Sequence, residues 1–170
     1  MEINLEPIGI INSPFKKIED RLPIQGRLFK NKGSIQIFDE YSEGLKDLEG
    51  FSYLYLIYFF DRSQSVQLRA VPYLDDQERG IFSIRSPHRP NHLGLTVVNL
   101  IKVNDNNIEV EGLDVLDQTP LIDIKPYNFH FDYPGEGKIG WMTKYFSDNN
   151  SNRNDIVDSE AEWLHQRNNK

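Results

Sequence analysis

The stretch SIRSPHRPNHLGLTVVNL, residues 83–100, sets two arginines, two histidines and two prolines directly before an apolar run. Each proline fixes φ and removes a backbone donor, so the loop is stiff and cannot join a central ladder. Arg85 and Arg89 hang on that frame, always charged, with planar forks suited to a carboxylate, a phosphate or the face of a base. Asn91 and Gly94 permit unusual backbone conformations that let the chain approach a ligand closely. The residues alone describe either a preorganised pocket wall for a polar, anionic or heteroaromatic ligand, or a rigid structural loop. His88 and His92 are four apart, but Pro87 and Pro90 oppose the helix that would align them. No carboxylate in the stretch adds a further ligand, so no metal site is expected.

A second segment, DVLDQTPLIDIKPY at 114–127, carries Asp114, Asp117, Asp123 and Lys125. Asp117 to Pro120 reads either as a turn whose side chains bond the local backbone or as an acidic bend that accepts from an ammonium group or ribose hydroxyls. A basic wall facing an acidic turn suits a zwitterionic, nucleotide-like ligand. GEGKIG, Gly135 to Gly140, matches the G-x-G-x-x-G dinucleotide fingerprint, but Pro134 precedes it and no βαβ unit surrounds it, so a turn is expected. No G-x-S-x-G occurs, and Ser86 before a proline has no nucleophile-elbow geometry.

The elements that must position these groups are short strands. EINLEPIGII, SIQIF, FSYLYLIYFF, VQLRAVPY, GIFSI, LTVVNLIKV and NIEVEGLDVL are rich in β-formers, and the last two flank a hairpin turn at Asn104–Asn107. DEYSEGLKDLEG predicts a short helix with Asp39 as N-cap and Gly50 as its stop. Many strands without βα alternation predict an all-β, barrel-like antiparallel sheet with short helices. Residues 1–146 form that domain. Residues 147–170 are a polar linker and a C-terminal tail helix, with Val157, Ala161 and Leu164 at helical spacing and Asp155 or Asp158 able to cap.

With 170 residues, 38% hydrophobic, the chain can bury one core. It has no cysteine, which suits a reducing compartment. The N-terminus does not read as a signal peptide, and the ten residues of FSYLYLIYFF are too few to span a bilayer. No membrane association and a cytoplasmic location are expected. The net charge of −7 opposes non-specific coating of nucleic acid. Between Arg79 and Lys102, however, lie Arg85 and Arg89 and no carboxylate, a compact basic face able to meet a phosphate backbone.

RSPHRPNHLGLTVV followed by DVLDQTPLIDIKPY, with IGIINSPF and PIQGR upstream, resembles the TrmO/TsaA-like family over roughly Pro7 to Tyr127. These are tRNA methyltransferases acting on N6 of threonylcarbamoyladenosine at position 37, beside the anticodon. The resemblance implies a non-Rossmann, barrel-like fold, S-adenosyl-L-methionine (SAM) as methyl donor, a homodimer and the tRNA anticodon loop as partner. Carried over position by position, the donor site involves Pro23, Ile24 and Gln25, then Asp61 and Arg62. Arg85 and Leu95 follow, Leu95 through its backbone, and then Asp117, Gln118, Thr119 and Pro120. Arg89 and Asn91 are assigned to RNA. His88, His92 and Asp117 are candidates for the group that takes the N6 proton, with no choice among them. Two positions depart from the family's pattern: His92 stands where proline is usual, and Gln118 where glycine is common. Two rival activities fit the same pocket: a SAM-binding sensor or interaction protein without catalysis, and a methyltransferase with a small-molecule acceptor.

Overall fold

A computed structural model describes residues 2–17, 22–23, 26, 30–73 and 75–145. Ile24, Gln25 and the tail helix expected over 147–170 lie outside the described residues. The chain divides into two compact units, Met1–Tyr127 and Asn128–Lys170.

The first unit is built on eight strands: β1 (Gly9–Asn12), β2 (Lys32–Ile37), β3 (Tyr53–Phe59), β4 (Arg69–Ala70), β5 (Arg79–Gly80), β6 (Leu93–Asn104), β7 (Asn107–Glu111) and β8 (Thr119–Pro126). Six close into a barrel in the order β1-β2-β7-β6-β3-β8, while β4 and β5 form a separate two-stranded ribbon. Every barrel pairing is antiparallel. The period-2 pattern explains the closure, because alternate residues must point inward. On β3, Leu54, Leu56 and Tyr58 are buried while Tyr53, Tyr55, Ile57 and Phe59 are only half-buried outside. Ile11, Ile35, Ile37, Val98, Ile108, Val110 and Leu121 fill the interior from the other strands, joined by Leu113 and Val115 from the β7–β8 connection. The hairpin expected around Asn104–Asn107 forms, with Asn104 opposite Asn107 and Asp105 at φ 48 in the turn.

Three local expectations change. VQLRAVPY contributes only the two residues of β4, and GIFSI becomes one 3₁₀ turn at Ile81–Ser83. Both belong to the 60–92 excursion between β3 and β6, and six strands already close the barrel, so neither segment has a place in it. DEYSEGLKDLEG forms two 3₁₀ turns, Asp39–Leu45 and Leu48–Gly50, broken at Asp47 with φ 64. Phe38 occupies the N-cap position, and the Asp39 carboxylate instead accepts from Asn106 Nδ2 at 2.6 Å. Leu48 is the one buried residue of these turns, so no apolar stripe draws the segment into a longer α-helix.

In the second unit, Phe129–Asp132 forms a single helical turn, α1, capped by Asn128, whose side chain accepts from the His130 N–H. Gly135 to Gly140 lie between that turn and a 3₁₀ turn at Gly140–Tyr145, with no strand before them. The fingerprint spacing therefore lacks the strand-to-helix context that dinucleotide binding needs.

Gly94 sits directly over the buried Tyr58 ring, and a Cβ there would overlap Cε2 and Cζ. Gly94→Ala is expected to lower the unfolding free energy by about 1–3 kcal/mol. Urea melts check this, and an unchanged midpoint would mean that the ring yields without cost.

Candidate functional site

β6 is the longest strand, and its two neighbours cover it unequally. β3 pairs with Leu93 through Asn99, whereas β7 pairs only from Asn99 onward. Among the described residues, the first half of β6, Leu93–Val98, thus has one edge without a strand partner. Leu95 lies in that half and is 49% exposed. The loop 85–92 enters this half of the strand, and the 112–118 connection runs between β7 and β8.

The acidic bend is fixed from β1. Ser13 N–H donates to Asp117 Oδ1 at 3.0 Å, and Ser13 Oγ donates to the Val115 carbonyl at 2.7 Å. Asp117 N–H donates to the Phe15 carbonyl at 2.6 Å, and Gln118 N–H to the Ile11 carbonyl at 2.8 Å. IGIINSPF and DQTP, far apart in sequence, are therefore one structural unit. Lys16 Nζ lies 2.7 Å from Asp117 Oδ2, and the Arg62 guanidinium donates to the Asp117 carbonyl at 2.6 Å. Burial pushes the Asp117 carboxyl up, but the bonds from Lys16 and Ser13, with the Lys16 and Arg62 charges, outweigh it and hold the group below the ordinary carboxylate value. Asp61 stands 4.0 Å from the Arg62 guanidinium. Thr119 Oγ1 donates to the Leu116 carbonyl at 2.7 Å, closing the bend ahead of Pro120. Gln118 adopts φ 63, a left-handed conformation that explains why glycine suits this position, and its amide donates to Asn12 Oδ1 at 2.6 Å.

The proline-braced loop is tied down by its histidines. Phe60 N–H donates to the His92 carbonyl at 2.8 Å and Gln67 N–H to the His88 carbonyl at 2.9 Å. His88 Nδ1 is within 3.1 Å of Ser63 Oγ and 3.0 Å of Ser65 Oγ. His92 Nδ1 faces the Pro87 carbonyl at 3.1 Å, and its ring meets Phe59 edge-on. Asn91 and His92 have φ 66 and 48, and His92 N–H donates to the Arg89 carbonyl at 3.1 Å. A proline at 92 has neither that φ nor that donor, so the local turn is a consequence of the histidine. Arg85 and Asn91 are exposed and Arg89 is half-buried.

Asp114 belongs to the same region although its role was not legible from the motifs. Its Oδ2 accepts from Gly26 N–H at 3.1 Å and from Thr96 Oγ1 at 3.1 Å, while Oδ1 is buried with no hydrogen-bond partner. A Cβ at Gly26 would collide with the backbone of Gly112, Leu113 and Asp114, so only glycine fits at this position. Pro23, three residues earlier, is buried. Burial pushes the Asp114 carboxyl up to about 6, against the bonds from Gly26 and Thr96 and the Arg85 charge, which act to lower it. The nearby Tyr58 hydroxyl is raised well above its ordinary value by burial and by Asp114, with Arg85 opposing. The available signal was GLDVL, a carboxylate between Leu113 and Val115, both buried. Among the described residues no three His, Asp or Glu side chains converge as a metal set.

The sequence matches the tRNA-methyltransferase O N-terminal domain over residues 10–133. The chain belongs to that family. A probable S-adenosyl-L-methionine-binding protein of Pyrococcus abyssi is 45% identical over 81% of this chain and 75% of its own length. The tRNA (adenine(37)-N6)-methyltransferase of Mus musculus is 39% identical over 76% of this chain. The crystal structure of TrmO from Pseudomonas aeruginosa superposes with a TM-score of 0.70 at 29% identity over 83% of this chain. This chain spans 32% of the mouse protein and 63% of the Pseudomonas chain. The barrel is thus the fold that the family shares.

Two outcomes follow from the geometry. Gln118→Gly should be more stable than Gln118→Ala by about 1 kcal/mol, since both lose the Asn12 bond and only glycine relieves the left-handed backbone; equal melting temperatures would contradict the turn. For Asp114, a folded value raised from 3.8 to about 6 means that stability is fully present below the unfolded value and is lost as pH rises through 6. The loss is about 3 kcal/mol by pH 7. The melting temperature of the natural chain relative to Asp114→Asn should therefore fall between pH 4 and pH 7. A constant difference would refute the buried charge.

Proposed function

We propose that this chain is a SAM-dependent methyltransferase acting on N6 of threonylcarbamoyladenosine at position 37 of tRNA, as a cytoplasmic homodimer that meets the anticodon loop. The observation that carries the reading is a run of contacts between motif segments: Arg62 bonds the Asp117 carbonyl, and Asp114, in the same connection, bonds Thr96 beside Leu95. Leu95 lies on the half of β6 that β7 does not pair. The groups suit the donor: carboxylates for an ammonium and ribose hydroxyls, a backbone edge for an adenine, and a rigid cationic loop beside them. Membership of the family and the activity named for the mouse relative support the acceptor.

SAM supplies a methyl group on a positively charged sulfur. Moving that group to N6 would release the N6 proton, so a base would be needed beside the acceptor. The chain's task is largely positioning, and rigidity is what it has: the bend is pinned by Ser13 and Lys16, and the loop by His88 and His92. Asp117, paired with Lys16 and held below its ordinary value, is the poorest base of the three candidates, which leaves His88 and His92. Arg85 is assigned to the donor, and Arg89 with Asn91 to RNA.

A second reading, SAM binding without catalysis, is favoured by the relatives that the chain matches over most of their length, such as the S-adenosyl-L-methionine-binding protein of Archaeoglobus fulgidus, 91% of which is covered. Incubation with methyl-labelled SAM and tRNA carrying or lacking the threonylcarbamoyl group separates the readings. Label only in the modified tRNA supports the first, equal label in both denies the substrate, and binding without labelled RNA supports the second. Arg85→Ala should weaken SAM binding at least tenfold, about 1.4 kcal/mol; Arg89→Ala should weaken tRNA binding more than SAM binding. Calorimetry and filter binding read both, on variants that still melt cooperatively, and the reverse ranking would overturn the two assignments.

A further inference from the structure

One carboxylate touches three of the segments that the site draws together. Asp114 lies in the connection that leads to the Asp117 bend. It accepts from Gly26, next to Gln25, and from Thr96, next to Leu95 on the open half of β6. Since β7 stops pairing with β6 at Asn99, this side chain bridges a stretch that no ladder among the described residues closes. The arrangement is a costly one. A buried carboxylate oxygen without a partner is normally eliminated, and it persists where ordered positioning is worth the stability. The charged and titratable groups facing it among the described residues are Tyr58 from β3 and Arg85 from the loop, and Arg85 is its one opposite charge.

We infer that Asp114 is a positioning residue: its ionised carboxylate holds Gly26 and the 112–118 connection against Thr96 on β6, so that SAM affinity depends on that charge. This rests on the donor reading above. Ionised, Oδ2 receives two charge-assisted bonds; protonated at the unpartnered Oδ1, it becomes a neutral acceptor and both bonds weaken. Gly26 is then held less firmly without the barrel opening, because the strand ladders do not run through these two bonds. Ionisation has opposite effects on the two measurable quantities. It costs stability, through burial, and it raises affinity, through the clamp. A residue that merely supported the fold would move both in one direction.

The test is calorimetric titration of the full chain with SAM from pH 5.0 to 8.0. Affinity should fall by about five- to tenfold as pH drops through 6, and Asp114→Asn should bind with the weaker affinity at every pH, without the inflection. Thr96→Val, which removes one bond that favours the ionised form, should move the inflection to higher pH while the protein still melts cooperatively. A pH-independent affinity in the natural chain overturns the inference. So does an inflection that survives in Asp114→Asn, since His88 or His92 would then carry it. Absence of SAM binding at every pH overturns the donor reading itself, and the clamp with it.

Discussion

Twelve residues of β6 run beside seven of β3 on one side and five of β7 on the other. Among the described residues, that mismatch leaves half a strand with an edge that no ladder satisfies. Backbone donors and acceptors in such a place must find side chains, solvent or a ligand. The site grows from this one inequality. The 112–118 connection passes by, Asp114 reaches across to Thr96, and Gly26 comes in against the same connection. The other strands of the barrel are paired on both sides and hold these pieces at fixed distances.

Two aspartates three residues apart then receive opposite environments. Asp117 faces Lys16 and the Ser13 N–H and is held as a carboxylate under ordinary conditions. Asp114 is buried, with one oxygen unpartnered and Arg85 as its opposing charge. Divergent environments for neighbouring carboxyl groups are a mark of a site in which charge has separate tasks. One aspartate fixes the bend and presents its polar backbone; the other ties the bend to the strand and to the incoming segment.

The cationic loop completes the region by stiffness. Its histidines are anchoring residues as much as chemical ones: His88 is held by two serine hydroxyls, and His92 by the Pro87 carbonyl and the Phe59 ring. His92 also uses a backbone donor that proline lacks, so this chain braces the turn in its own way. Arg85 and Arg89 are carried on that frame within an otherwise acidic protein.

Read alone, the chain's residues carry the class of fold and the chemistry of the loop. Alternation on β3, β6 and β7 is a local property of the chain, and so are the prolines and arginines of RSPHRP and the turn at Asp105–Asn106. Its motifs also supplied the list of residues that Asp117, Arg62 and Leu95 belong to. The sequence could not reveal that IGIINSPF and DQTP are hydrogen-bonded to each other, because residues 104 apart in the chain meet only through barrel closure. It misread VQLRAVPY and GIFSI, whose composition suits strands, because pairing partners are a property of the whole sheet. Asp114 is the clearest case. Its neighbours mark it as one carboxylate among several, and its burial emerges only in the folded barrel, because it depends on Gly26, Thr96 and Tyr58 arriving from three separate parts of the chain.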